Sequence, residues 1–336
     1  MSLTTRKIRW GIAGLGNIAQ RFATALTQHC EHGELYGVAS RSQARSQEFT
    51  EQYGAHVSYD TYLEMAQDPN VEAVYIATVH PYHKPLAKLF LTHQKHVLVE
   101  KPAFTNLNDW LEMKALAKRQ GVLLLEAMKT VTFPAYIELK SYLKEHHIQL
   151  TSIEAGFGNQ NEYDPNIFIF NPDLSGGATL DVGVYSLWFY YDLCQFMEVP
   201  VTTPASKIVG ELEQCNVDTY ARFFFEGSVK GEISASINRN LPRHAVLKGK
   251  NITITIQEKW WNPQVIDIEH NSQRIRIHAP ISGNGFEFEI DHFSELVKDG
   301  KTESNILLHQ VTEQVLSTIE SSLVISGFGH LTRTNN

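Results

Sequence analysis

Cysteine is scarce: three residues in 336, Cys30, Cys194 and Cys215, far apart and with no C-x-x-C pair. So small, odd and scattered a set supports neither a disulfide framework nor a zinc site, and it suits a reducing compartment. No apolar run approaches the roughly 18–20 residues needed to cross a bilayer. Nor is there a dense run of Lys or Arg. The 29 basic residues are outnumbered by 37 acidic ones, for a net charge of −8, the reverse of a nucleic-acid binder's footprint. Arg6, Lys7 and Arg9 do precede an apolar segment, as in a secretory leader. The segment Ile12-Ala13-Gly14-Leu15-Gly16-Asn17 is too short and glycine-rich for a leader core, and no small-residue cleavage site follows. The chain is therefore expected to be cytoplasmic. Internal repeats and low-complexity tracts are also missing.

What the chain does have is a large apolar complement, 43% of residues against 20% charged, and enough length for about two domains with well-buried cores. Over residues 1–127, short apolar runs alternate with helical patterns. Strands are expected at 8–13, 34–40, 57–59, 73–76, 96–99 and 122–125, with helices at 18–26, 43–53, 61–67, 84–93 and 108–119. That rhythm means right-handed crossovers and a doubly wound parallel sheet, the α/β class. After Pro134 the rhythm changes. A helix at 135–144 leads into longer β-rich segments at 151–157, 219–225, 229–237 and 252–256, with helices around 178–193 and 307–326. Ile252, Ile254 and Ile256 alternate with Thr253 and Thr255, the period of a sheet with one buried face. Residues 128–336 are thus expected to form an α+β domain with a mostly antiparallel open sheet.

The first chemical signal is Gly14-Leu15-Gly16-Asn17-Ile18-Ala19, a G-x-G-x-x-A between a strand and a helix. Gly14 permits the tight turn, Gly16 lets a pyrophosphate approach the backbone, and Ala19 allows helix to pack closely on strand. The helix start at Asn17 and Ile18 supplies N–H groups for phosphates. The second strand then selects the dinucleotide. A carboxylate at its end would hold the adenine ribose hydroxyls of NAD; this chain has Ser40-Arg41-Ser42, with Arg45 one turn on. A guanidinium flanked by hydroxyls suits a 2′-phosphate, so NADP is expected over NAD, with NAD still possible. The bland reading of Arg41 is a solvated arginine stacked on adenine.

The second signal is Glu100-Lys101-Pro102 at the end of the fifth strand, the ligand end of a parallel sheet. The third is Gly176-Gly177-Ala178-Thr179-Leu180-Asp181-Val182-Gly183-Val184-Tyr185. If that segment is helical, Asp181 and Tyr185 stand at i, i+4 on one face, and a lysine with an Asp/Tyr face can handle a proton. Singly, each is ordinary: a surface cation, a first-turn acid, a core aromatic.

These motifs, in this order and spacing, make the chain resemble the glucose–fructose oxidoreductase/inositol dehydrogenase (Gfo/Idh/MocA) family over nearly its whole length. Within it, the sequence is most similar to the NADP-dependent dimeric dihydrodiol dehydrogenases, which also act on sugars such as xylose. It shares with them Thr78-Val79-His80-Pro81-Tyr82-His83 and a tyrosine, where many relatives have histidine, at the end of the later motif. The resemblance implies that Lys101 binds the reacting hydroxyl and lowers its neighbour's pKa, that Tyr185 is the acid/base, and that Asp181 orients the substrate. It implies that Glu100 helps hold the nicotinamide ribose side, and that Thr78, His80, Pro81 and His83 line the cofactor channel. His80 and His83 read as metal ligands would lack a third partner, so no metal is expected. A homodimer or higher assembly through the second domain's sheet is implied as well.

Two departures mark the substrate end. Dihydrodiol dehydrogenases have a tryptophan where Lys129 stands, and relatives often have an arginine where Phe168-Ile169-Phe170 precedes Asn171-Pro172. Lys129 and Phe168 are therefore expected to touch the substrate, with Lys129 facing the crevice between domains; its bland alternative is an ammonium reaching solvent. The function expected is hydride transfer between a nicotinamide and a small polyhydroxylated substrate, a sugar, polyol or cyclic diol. The alternative is a cofactor-binding sensor without turnover.

Overall fold

The computed structural model describes residues 6–333 and divides into two compact units. The first is built on six parallel strands, β1 (Ile8–Ala13), β2 (Gly33–Ala39), β3 (Val57–Tyr59), β4 (Ala73–Ile76), β5 (His96–Glu100) and β6 (Leu124–Ala127), in the order β3-β2-β1-β4-β5-β6. Crossover helices α1 (Asn17–Gln28), α2 (Gln43–Tyr53), α3 (Tyr62–Gln67), α4 (His83–Thr92) and α5 (Leu107–Gln120) connect them. β4 and β6 are buried at every position, and β5 at all but its first, because helices cover both faces of such a sheet. Strand order reverses between β1 and β4, and a doubly wound sheet of this order takes its ligand at the carboxyl ends of those strands.

The second unit holds α6 (Pro134–Glu145), β7 (Leu150–Gly158), α7 (Val184–Phe196) and seven further strands: β8 (Ala205–Val209), β9 (Tyr220–Phe225), β10 (Lys230–Ser236), β11 (Ala245–Gly249), β12 (Ile252–Ile256), β13 (Val265–His270) and β14 (Gln273–His278). They form one sheet, β14-β13-β12-β11-β7-β10-β9-β8, antiparallel at every pairing except β7 with β10. α7 packs on β7 and β10, and α6 on β13 and β14. The first ten residues of α7 are all buried except Tyr185, as an apolar-all-round helix requires.

One expectation needs correction. Residues 128–336 do not all join the second unit, because the chain returns at Ile281–His309 to complete the first. This return contains α8 (Phe286–Lys298). Its Ser294 hydroxyl accepts from the Trp10 indole of β1 at 3.0 Å, and Phe293 lies 5.0 Å from the same ring. The Asp291 carboxylate receives the backbone N–H groups of Glu31 and His32 at 3.0 and 2.8 Å. α9 (His309–Ile325) then packs in the second unit, where Thr318 hydrogen-bonds the Tyr191 hydroxyl. Among the described residues, no helix is long and apolar enough to cross a membrane.

Candidate active site

In the first unit, the turn after β1 opens a cavity of about 980 Å³, near the upper end of the size range of ligand sites. Gly14 takes φ +90° there, and a Cβ on it would lie 2.7 Å from the Thr78 methyl, so β1 and β4 can approach only with glycine at this place. Gly16 is different: around its would-be Cβ there is no other atom within 4 Å. The space in front of Gly16 is therefore left by the fold itself. No side chain caps α1, whose N-cap is Gly16, so its first-turn N–H groups are presented at the mouth of this space, an arrangement suited to phosphate.

The far wall comes from the turn after β2. Ser40 is buried, and its hydroxyl donates to Ser42 O at 2.8 Å and meets Ser46 Oγ at 3.1 Å. Its work is to shape the turn that holds Arg41 out. Ser42 caps α2 by accepting from the Arg45 N–H. The Arg41 guanidinium lies 5.3 Å over the Tyr82 ring, and Arg45 donates to Leu15 O at 2.8 Å, tying α2 to the glycine turn. The cavity is lined by Gly14, Gly16, Ser40, Arg41, Arg45 and Thr78 together with apolar and tyrosine side chains, and none of its lining residues is acidic.

Thr78, Val79 and Tyr82 line that wall. Of the other expected channel residues, His80 is buried and Pro81 half-buried in the short turn His80–Tyr82, and His83 is buried at the start of α4. His83 Nδ1 lies 3.1 Å from the carbonyls of Pro102 and Ala103, and Nε2 lies 2.9 Å from Thr78 O. Burial lowers its pKa, against the opposing pull of those carbonyls. The ring stitches the loop after β4 to the loop after β5. The latter carries Lys101, half-buried and joined to Pro102 by a cis peptide. Glu100 also turns inward: its carboxylate accepts from the Tyr75 hydroxyl and, at 3.1 Å, from the Lys101 N–H.

In the second unit the Gly-Gly motif ends in one widened π turn, Thr179–Gly183, which runs directly into α7. Such turns often sit at functional places. Across residues 175–194 only Asp181 and Tyr185 are not buried, so the two expected proton-handling side chains share the one open face. Gly176 and Gly177 are there for packing. A Cβ on Gly176 would lie 2.5 Å from Phe168 O, and one on Gly177, at φ +109°, 2.1 Å from Asp218 Oδ1. Asp218 is a residue that sequence reasoning missed. Its carboxylate receives the Thr179 N–H and hydroxyl at 2.7 and 2.6 Å, and burial pushes its pKa up to about 6 against those hydrogen bonds. Phe168 is half-buried in a short turn just before the motif.

Residues 8–128 match the family of oxidoreductases with an NAD-binding Rossmann fold named Gfo/Idh/MocA. Over 328 residues the chain is 33% identical to trans-1,2-dihydrobenzene-1,2-diol dehydrogenase of Mus musculus, covering 94% of this chain and 96% of the mouse protein. The chain belongs to the Gfo/Idh/MocA oxidoreductase family. Its fold is also that of an aldose–aldose oxidoreductase from Caulobacter crescentus solved with glycerol (TM-score 0.82, 22% identity, 96% of this chain and 98% of that one). A 3-ketoreductase from Actinomadura kijaniata solved with NADP is similar too (TM-score 0.78, 21% identity, 95% and 97%).

Against this family background two places stand out. Tyr185 lies 5.5 Å from the Phe157 ring, which stacks on Trp261 at 3.8 Å. This aromatic wall joins residues more than a hundred positions apart, and no local signal announces it. Lys129 does not reach solvent: it is 7% exposed, and its ammonium donates to Asn284 O at 3.2 Å.

Proposed function

We propose that this family member is an NADP-dependent dehydrogenase or reductase that moves a hydride between the nicotinamide and a carbinol or carbonyl carbon of a small polyhydroxylated substrate. The observation that carries the cofactor choice is the cavity wall, which presents Arg41 and Arg45 with no carboxylate, since an acid there would repel a 2′-phosphate. Asn17, Ile18 and Gly16 would take the pyrophosphate at the start of α1. When bound, the nicotinamide accepts or supplies the hydride.

The proton is the protein's task. Tyr185, open on its helix face, takes it from or returns it to the reacting oxygen, and Asp181 on the same face orients the substrate. Lys101 binds that oxygen and favours the phenolate. Phe157 and Trp261, with Phe168, offer the apolar faces of a sugar ring something to rest on. Lys129 stands where dihydrodiol dehydrogenases have an indole; with its ammonium enclosed and given to Asn284 O, its effect on specificity is the flat stacking face it removes, which disfavours aromatic diols. The family resemblance further supports a homo-oligomer formed through the second unit's sheet, which sedimentation would test. The test of function is a panel of sugars, polyols and cyclic diols with NADP and with NAD, followed by nicotinamide absorbance. Turnover with NADP on polyols is the expected result. Binding of NADP without turnover on any member would favour the sensor.

A further inference from the structure

Four side chains from four separate segments of the second unit form one column that ends at Tyr185. Tyr185 lies 5.5 Å from the Phe157 ring of β7, and Phe157 stacks on Trp261 at 3.8 Å with the planes 10° apart. Over Trp261 lies the Arg243 guanidinium, 5.4 Å from the ring centre. Arg243 stands just before β11 and Trp261 in the loop after β12, so nothing local in the sequence announces the column. Phe157 already covers one face of the indole, and the guanidinium therefore takes the other. Trp261, 9% exposed, is left presenting an edge.

The backbone around this column is fastened by hydrogen bonds. The Trp260 indole donates to Gly156 O at 2.6 Å, and the Trp260 backbone N–H donates to Arg243 O at 3.1 Å. The Thr130 hydroxyl donates to Trp261 O at 2.8 Å. None of these bonds involves the Trp261 ring, which is held by what packs on it. The Arg243 side chain is in the same position. Its acid neighbour, Glu258, is mostly exposed and stands 3.5 Å from Nε. Among the described residues, that buried Nε meets no hydrogen-bond acceptor. An ion pair so open to water contributes little. A flat guanidinium on an indole gains from the ring quadrupole and from stacking together. The ring, more than the acid, accounts for where Arg243 lies.

We propose that Arg243 is a positioning residue for the substrate wall. By closing the outer face of Trp261 it keeps that indole stacked on Phe157. The two rings then form a firm platform beside Tyr185, against which a ring-shaped substrate lies. This deepens the function proposed above and rests on it: the substrate class narrows to cyclic sugars and cyclic polyols, since an open chain has no flat apolar face to set against the wall. The clamp on Trp261 does not depend on that function.

The first test needs no turnover. Full-length protein carrying 15N-labelled tryptophan gives indole N–H signals by NMR, and that of Trp261 is assigned by its loss in Trp261→Phe. Arg243→Met keeps the length of the side chain and removes the flat cation. The Trp261 signal should move and broaden, while those of Trp10 and Trp110, in the first unit, stay. Glu258→Gln should leave the Trp261 signal in place. An unmoved signal in Arg243→Met overturns the clamp. So does equal displacement in Glu258→Gln, because the ion pair would then be what holds the ring. The second test is kinetic. In Arg243→Met the KM of a cyclic sugar or polyol should rise about 2–10-fold. The KM of glycerol, the KM of NADP and kcat should stay within about twofold. An equal loss on cyclic and open-chain substrates would reduce Arg243 to a structural role, and a loss confined to acidic sugars would make it an anion receptor; either overturns the proposal. A panel without products would sink the function and the substrate class with it, whereas the clamp stands or falls by the indole signal alone.

Discussion

The turn after β1 and the entry to α7 each carry two glycines, but different neighbours require them. At the first, Gly14 is held by contact with Thr78 and Ala77, while Gly16 faces open space; the second glycine makes sense only when something that is not protein comes close. At the entry to α7 both glycines are pressed against protein, Gly176 on the carbonyls of Phe168 and Ile169 and Gly177 on Asp218. One motif prepares a backbone for a ligand, and the other seats a helix start so that Asp181 and Tyr185 alone emerge. A glycine motif therefore states a need for closeness without saying to what.

The contrast can be broken experimentally. Its largest consequence lies in what the second motif exposes. Tyr185→Phe keeps the ring and removes the acid/base, and turnover should fall roughly 10²–10⁴-fold while NADP binding, measured by fluorescence, stays within about twofold of the unmodified protein. Near-normal turnover would make Tyr185 a packing residue. Next comes the wall of the cofactor cavity. Arg41→Ala removes a charge-assisted contact of about 1.5–3 kcal/mol, so the preference for NADP over NAD in kcat/KM should drop about 10–100-fold; an unchanged ratio would place the 2′-phosphate elsewhere.

The glycines themselves give the sharper comparison. Gly177→Ala puts a side chain at φ +109° and against Asp218, and should cost about 1–3 kcal/mol of stability in denaturant unfolding. Gly16→Ala should leave stability almost unchanged, since its Cβ meets nothing, and should instead weaken dinucleotide binding. Equal stability losses at both positions would erase the distinction.

The smallest effect is a pH dependence. Burial pushes the Asp218 carboxyl up to about 6 in the folded protein, above the ordinary 3.8 of an aspartate. A folded pKa raised in this way means that its stabilising contribution is complete below about pH 4 and is lost as pH rises through 6. The melting-temperature difference between the unmodified protein and Asp218→Asn should therefore shift against the unmodified protein between pH 4 and pH 7. A flat difference would mean that the Thr179 hydrogen bonds outweigh burial.

Legibility in the sequence followed the range of the forces involved. The parallel strands are recognisable as short apolar runs, β4 and β6 being buried throughout and β5 at all but one position, while β3 is buried only at Tyr59; β12 is recognisable because its isoleucines alternate. α8 was hidden by its own residues: Phe286-Glu287-Phe288-Glu289-Ile290-Asp291 alternates like a strand. The helix nonetheless buries Phe286, Ile290 and Phe293 along with Glu287 and Glu289, and it is these inward acids that spoil the helical pattern. β13 and β14 were hidden for another reason. β14 is an edge strand exposed at all but one position, and its hairpin turns through Asn271 and Ser272 at positive φ without any glycine, which removes the usual signal.

By itself, the sequence determined the dinucleotide turn and the arginine wall, which depend on spacing along one strand–turn–helix unit, where local geometry is nearly independent of the rest of the chain. It offered Lys101, Asp181 and Tyr185 as candidates for moving a proton through the resemblance of their motifs to the family's. Tertiary structure alone decided that His83 and Glu100 turn inward to brace the loops, that Asp218 caps the start of the α7 segment, and that Phe157 and Trp261 stand beside Tyr185. It also returned a late helix to the first unit and enclosed Lys129 with its ammonium on Asn284 O. Each of these depends on groups far apart in the chain that meet only when apolar surface leaves water, and on whether a polar atom finds a partner in the place where that burial leaves it.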